Sequence, residues 1–344
     1  MVGVSHVTVS LALRNSPKLP LARRREIQAV AERVGYRPNP MASALAHFKQ
    51  SSKVQPIQAG LAWLNFWPEP QQLHRHAEFA RYWQGARMAA ETLGYRLEEL
   101  VCGSDPPSIA RLQKVLLSRG IGGIMLPPQQ QRRLDWTGLD WEGFSAVRLG
   151  RSEPTPRLHT VAADQVANTI LGFNEIRARG YARVGFVSGA ANQGGALFEA
   201  GFLMAQRCIE KELWVPVLRL EGADAADHRS RLGHWLKRHR PDAVFTEMHT
   251  IPGLLRRCGC RVPEDVGLAV TSVLDGNAGA AGIYQNPEEV GRVASQVLVS
   301  LLRDNDRGSP SIFRQILVEG AWVDGQTLPD RRAWADGSRP REAA

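Results

Sequence analysis

Ile57-Gln58-Ala59-Gly60-Leu61-Ala62-Trp63-Leu64 is a short apolar run that reads as a strand, and it opens the alternation of elements that decides the fold. Residues 79–93 carry apolar side chains at helical spacing and are closed by Gly94, and 96–101 reads as a second strand. The alternation continues with a helix over 109–119, strands over 123–126 and 146–149, a helix over 166–178 and a strand over 183–188. Beyond it come a helix over 197–208, a strand over 214–220, a helix around 229–238, a strand over 243–246 and a helix over 251–258. Strands over 267–271 and 312–323 bracket a last helix over 287–304. Strands separated by helices predict right-handed βαβ units and doubly wound parallel sheets. Two such series predict an α/β body of two sheets with a cleft between them, and ligands of open α/β sheets sit at the carboxyl ends of the strands.

Composition narrows the function classes. The 344 residues are 43% apolar and 22% charged, enough for two or three units with real cores. No stretch has the roughly 18 uninterrupted apolar residues of a membrane span, and the first residues lack the apolar block of a secretory signal. Cys102, Cys208, Cys258 and Cys260 are too scattered for a disulfide framework, which makes a reducing cytoplasm the expected location. Cys258-Gly259-Cys260 has no matching second pair, and His74 and His76 flank Arg75 without acids at ligand spacing, so no metal is expected. There is no nucleophile elbow, phosphate loop or dinucleotide fingerprint, so an enzyme and a cofactor are not expected.

The charge is uneven. Of a formal net of +9, residues 1–53 hold +7, nine bases against Glu26 and Glu32. A basic head on a near-neutral body is the layout of a chain that touches a polyanion with one end. The head opens on Gly3-Val4-Ser5-His6-Val7-Thr8-Val9-Ser10-Leu11-Ala12-Leu13, a short helix capped by Ser5, with Val4, Val9 and Leu13 as core contacts. A polar turn through Asn15 leads to a helix over 21–34, with Ile27, Val30, Ala31 and Val34 inside and Arg23, Arg24 and Arg25 on the wet side. Gly35 stops it, and Pro38-Asn39-Pro40 starts a further short helix.

Gly3-Val4-Ser5-x-x-Thr8-Val9-Ser10, Arg23-Arg24-Arg25-Glu26-Ile27 and Gly35-Tyr36-Arg37-Pro38-Asn39 resemble the headpiece of the lactose-repressor (LacI) family of transcription regulators. The resemblance runs on through Met41-Ala42-Ser43-Ala44-Leu45-Ala46, Arg261-Val262-Pro263-Glu264-Asp265-Val266 and Glu288-Glu289-Val290-Gly291. It implies a helix-turn-helix head, a hinge helix and a body like the periplasmic sugar-binding proteins. On that reading the DNA-binding set is Ser5, His6, Val7, Thr8, Ser10, Leu11, Asn15, Asn39, Ala42 and Leu45. His6 can bond a purine edge and Val7 a thymine methyl, while the short polar side chains suit phosphate contacts that fix register. Leu45 is implied by the family as a wedge between base pairs in the minor groove, where unstacking costs a few kcal/mol and a bend brings more protein onto the DNA. A helix as short as 39–47 is marginal alone and is expected to order on DNA.

Two departures from the family pattern matter. Only Met1-Val2 precede Gly3, so the first helix of the helix-turn-helix is expected to be truncated, either by a start codon placed too far downstream or by a real loss of DNA binding; Leu11 also stands where many members have Arg. In the effector pocket, Phe198 stands where Arg is common, Met248-His249 where Asn-Asp is common, and Ser272 or Val273 where Asp is common, with Asp275 a little later. Together with Trp63, Asn65 and Trp67 at the end of the first strand, where an aromatic ring could stack on a ligand, these make the candidate ligand set.

The expected layout is a DNA-binding headpiece over 1–48 with a hinge helix at 39–47, a linker over 49–56, an effector-binding and dimerisation domain over 57–328 and a disordered tail over 329–344. The domain divides into an N-subdomain of about 57–161 and 286–312 and a C-subdomain of about 162–285 and 313–328. The expected function is a homodimeric repressor on a palindromic double-stranded DNA operator, modulated by a small-molecule effector for which a sugar is one candidate, with no membrane partner. The alternative is a solute-binding protein of the periplasmic sugar-binding type without DNA function.

Overall fold

A computed structural model describes residues 4–13, 19–33, 59–102, 106–129, 134, 136, 138–151, 155–189, 193–222, 224–274, 277 and 279–334. The head contributes two helices, α1 (His6–Leu13) and α2 (Leu21–Arg33). Ser5 caps α1 as its sequence predicts, its Oγ accepting from the Thr8 amide at 3.2 Å. The inner face of the pair is Ala12, Ile27 and Ala31, with the Gln28 amide donating to the Ala12 carbonyl at 2.9 Å. Val4, Val9 and Leu13 are only half-buried, whereas the small Ala12 is fully buried. The hinge helix at 39–47 and the linker over 49–56 lie outside the described residues.

The body is two six-stranded sheets. The first, in the order β11-β5-β4-β3-β1-β2, is built from β1 (Ala59–Asn65), β2 (Tyr95–Val101), β3 (Gly123–Leu126), β4 (Ser145–Leu149), β5 (His159–Ala163) and β11 (Gln315–Val318). All its pairings are parallel. The second, in the order β12-β10-β9-β8-β6-β7, is built from β6 (Val184–Ser188), β7 (Leu218–Arg219), β8 (Ala243–Thr246), β9 (Gly267–Val270), β10 (Ala281–Tyr284) and β12 (Ala321–Val323). Only β12 runs antiparallel, to β10. The central strands β3, β4, β6, β8 and β9 are buried along their whole length, because helices cover both faces of a parallel sheet.

Helices α3 (Pro70–Arg75), α4 (Ala77–Thr92) and α5 (Pro106–Ser118) serve the first sheet. Helices α6 (Gln165–Ala178), α7 (Gln193–Gln206), α8 (Ala225–His239) and α9 (Ile251–Arg257) serve the second. Helix α10 (Pro287–Asp304) returns to the first sheet.

Four expectations are corrected. Strands β5 and β10 are absent from the sequence reading: His159-Thr160 and Gly282 break any apolar run, so neither stood out from a loop. The strand expected over 214–220 shrinks to Leu218–Arg219, because Pro216 has no amide to give a ladder. The single strand expected over 312–323 is two, β11 and β12, in different sheets. Gly320 separates them, and a Cβ there would lie 2.8 Å from the Tyr284 carbonyl oxygen and 2.9 Å from Asn168 Oδ1. The lobe boundary thus falls at 319–320 and not at 312–313. The tail is not disordered from 329: Tyr181 Oη donates to the Pro329 carbonyl at 3.0 Å and the Arg331 guanidinium lies 4.2 Å from the Tyr181 ring centroid. Residues 335–344 lie outside the described residues.

In the first lobe α4 and α10 pack backbone to backbone. A Cβ on Gly85 would lie 1.9 Å from the Glu288 carbonyl oxygen, and one on Gly291 would lie 2.0 Å from the Tyr82 carbonyl oxygen. The Ser295 hydroxyl donates to the Ala86 carbonyl at 2.7 Å in the same seam. Since neither backbone can yield without opening the core, Gly291→Ala is expected to cost about 3 kcal/mol or more, read as a lower urea midpoint at unchanged slope.

Candidate functional site

Open α/β folds bind ligands at the carboxyl ends of their strands, which here are the ends of β1, β3 and β4 in one lobe and of β6, β8, β9 and β10 in the other. In the first lobe the side chains singled out from the sequence are spent on structure. Trp63 is fully buried among Leu61, Leu97, Met125 and Val290 and meets Trp83 edge-on at 5.4 Å, so its ring is in the core and not in a cleft. Strand alternation explains the placement: Leu61 and Trp63 point to the α4–α10 layer, and Ala62 and Leu64 to the α5 layer.

Asn65 is also fully buried. Its amide donates to the Pro70 carbonyl at 3.1 Å and to Glu99 Oε1 at 2.8 Å, and its Oδ1 accepts from the Trp67 amide at 3.0 Å. It therefore shapes the turn after β1. Trp67 is buried on that turn, with Nε1 donating to the Pro128 carbonyl at 2.9 Å and its ring against His76 and Phe79. His74 pairs with Glu99 at 2.9 Å, and the His76 ring packs against Trp67 and Phe79. Among the described residues no group of three or more His, Cys, Asp and Glu is placed to hold a metal ion.

In the second lobe Phe198 is half-buried against the core around Phe202. Met248 is half-buried and lies over Gly189, where a Cβ would meet its thioether sulfur at 3.2 Å. His249 is exposed. Ser272 is half-buried, and its carbonyl accepts from Asn277 Nδ2 at 3.0 Å. Asp275 lies outside the described residues.

The residue that sequence reasoning missed is Glu247, between Thr246 and Met248 at the end of β8. Its Oε1 accepts from Ser188 Oγ at 2.9 Å and from the Gly189 amide at 2.8 Å, so the carboxylate lies across the ends of β6 and β8. Its Oε2 is buried and has no hydrogen-bond partner. Burial raises the carboxyl above the ordinary range, against the lowering effect of those hydrogen bonds, and the nearby Glu199 charge adds to the rise. The signal was available: an acid directly after the buried strand Ala243–Thr246 sits at the strand end where ligands of open α/β folds bind. After β10, Gln285 is buried and donates to the Thr271 carbonyl at 2.8 Å.

In the head, Ser5 is exposed, and Thr8 is half-buried with its hydroxyl 2.9 Å from Ser5 Oγ. Leu11 is half-buried, and His6, Val7 and Ser10 lie on α1. Asn15, Asn39, Ala42 and Leu45 lie outside the described residues.

Residues 173–328 match the family model of the periplasmic binding protein-like domain. The chain has the periplasmic binding protein-like fold. Solved structures that share it are LacI-family transcriptional regulators. A transcriptional regulator CelR in complex with cellobiose is 20% identical and has a TM-score of 0.58, covering 95% of this chain and 97% of its own. The lac repressor dimer bound to operator and the anti-inducer ONPF is 17% identical with a TM-score of 0.54, covering 95% of this chain and 96% of its own. A periplasmic binding protein/LacI transcriptional regulator from Alkaliphilus metalliredigens, complexed with D-xylulofuranose, is 15% identical with a TM-score of 0.55, covering 79% of this chain and 99% of its own. No curated protein matches the chain by sequence. These neighbours of the periplasmic binding protein-like chain are regulators and not enzymes, and no helix among the described residues is long and apolar enough to cross a membrane.

The Glu247 carboxyl holds its proton more tightly in the fold than in the unfolded chain. The penalty for ionising it is absent at low pH and grows as pH rises from the ordinary value of 4.5 through the raised one. Glu247→Gln is therefore expected to be more stable than the parent at about pH 8, with the gap closing as pH falls toward 4.5, in thermal melts across a pH series.

Proposed function

We propose that the protein is a LacI-type transcriptional repressor that binds a palindromic operator as a homodimer and whose two-lobed body responds to a small carbohydrate. The observation that carries this reading is the reach of the likeness. CelR and the lac repressor each cover 95% of this chain, too much to be accounted for by the body alone, and the added part is the segment that holds +7 of the net +9 charge. A basic helical head joined to a ligand-binding body supports a grip on DNA that the body adjusts.

The DNA-binding set in this reading is Ser5, His6, Val7, Thr8, Ser10, Leu11, Asn15, Asn39, Ala42 and Leu45. The capped start of α1 supports the first part of it: Ser5 and Thr8 hold the helix end at which His6 and Val7 would meet base edges. Pairing of two copies is supported by apolar side chains left exposed on the body. Val101 is on the edge strand β2, Met88 and Leu117 are on the flanking helices, and Leu203 and Met204 are on α7 of the other lobe. The sugars in the CelR and Alkaliphilus metalliredigens complexes support a carbohydrate as effector.

The test is selection of bound sequences from random duplexes, followed by anisotropy titrations across a salt series with and without sugars. The expected result is a palindromic consensus, affinity falling steeply with salt, and a shift in affinity with an active sugar. No preference for any duplex over bulk genomic competitor would sink the reading. Within it, Leu45→Ala is expected to weaken binding to the selected operator by about tenfold or more while leaving affinity for random DNA and its salt slope unchanged, measured by the same titrations.

A further inference from the structure

On the second lobe's wall, Glu247 is a carboxylate that the fold half satisfies. Ser188 Oγ and the Gly189 amide both donate to Oε1, while Oε2 is buried without a donor. A buried acceptor left in that state carries its full desolvation cost, which a donor from outside the chain would relieve. The neighbouring charges decide what kind of donor. Glu199, on α7, is buried and repels the Glu247 charge. The Arg219 guanidinium, on β7, is fully engaged with Glu199, its Nε donating to Oε2 at 2.8 Å and its Nη2 to Oε1. That guanidinium is bound to Glu199 and not to Glu247, and Met248, laid over Gly189, brings a thioether and no charge. A hydroxyl from a neutral sugar would fill the hydrogen bond at Oε2 but leave the negative charge unbalanced. A protonated amine fills both.

We propose that Glu247 is a specificity-determining residue and that the effector is an amine-bearing carbohydrate whose ammonium group donates to Glu247 Oε2. The inference rests on the reading of the body as a carbohydrate sensor. It does not follow from the neighbouring structures, two of which hold the neutral sugars cellobiose and D-xylulofuranose.

The test is calorimetric titration of the full chain with a matched series of neutral hexoses and pentoses and their amino counterparts, beginning with D-glucose and D-glucosamine. The expected result is at least one pair in which the amino sugar binds about ten- to a hundredfold tighter than its neutral partner, a preference that Glu247→Gln abolishes and Glu247→Asp retains in part. The parent protein's own discrimination needs no variant, so a Glu247→Gln protein that failed to fold would leave the test intact. Equal or tighter binding of the neutral sugars overturns the inference while leaving the carbohydrate-sensing reading in place, as does a Glu247→Gln protein that folds and keeps the preference. Binding by no member of either series overturns both.

Discussion

The chain passes between its two lobes three times, and the three passages are tied to one another by hydrogen bonds. The Asp164 amide, at the first, donates to the Val318 carbonyl at the entrance to the third at 2.9 Å. Asn286, at the second, donates through its side chain to the Glu319 carbonyl at 2.7 Å. The Gly320 amide, in the third, donates to Asn168 Oδ1 at 2.6 Å, just past the first. These segments share one small volume, which is why Gly320 has no room for a side chain. The lobes are therefore joined at one place by backbone that can turn but not drift, the arrangement of a hinge.

Around that hinge a second network spans the lobes. Arg81 on α4 donates to Tyr284 Oη at 3.1 Å and to Glu288 Oε1 at 2.5 Å, and Tyr284 Oη donates to the other Glu288 oxygen. Tyr284 ends β10 in the second lobe and Glu288 begins α10 in the first. The hydrogen bonds hold Glu288 below the ordinary carboxylate range despite its partial burial. The backbone seam of α4 and α10 through Gly85 and Gly291 sets the position of Arg81, so packing inside one lobe is transmitted to the contact between them. Rotation about the passages would alter this contact.

Much of the fold was legible in the chain. The long helices, most of the central strands and the winding of both sheets follow from apolar runs bounded by Gly and Pro, because a parallel strand covered on both faces has to be apolar along its length. The Ser5 cap was legible for the same local reason, a hydroxyl three residues before a free amide. The ligand wall was not. Trp63, Asn65 and Trp67 sit where ligand contacts were expected, yet the pleat turns Trp63 into the core and Asn65 and Trp67 are consumed in bracing the turn after β1. Glu247 passed unnoticed because its distinction, one satisfied oxygen and one orphan, is made by Ser188 and Gly189 from a strand some sixty residues away.

What the sequence determined by itself was the class of the molecule: periodicity and turn residues act within a few positions, so they specify elements and their alternation, and the sum of charges specifies a basic head on a neutral body. The tertiary structure alone decided where the lobes divide, since a continuous run over 312–323 contributes to both sheets and only strand pairing assigns each half. It also decided which polar groups are spent and which stay available, because a hydrogen bond between distant segments leaves no mark on the local pattern of either one.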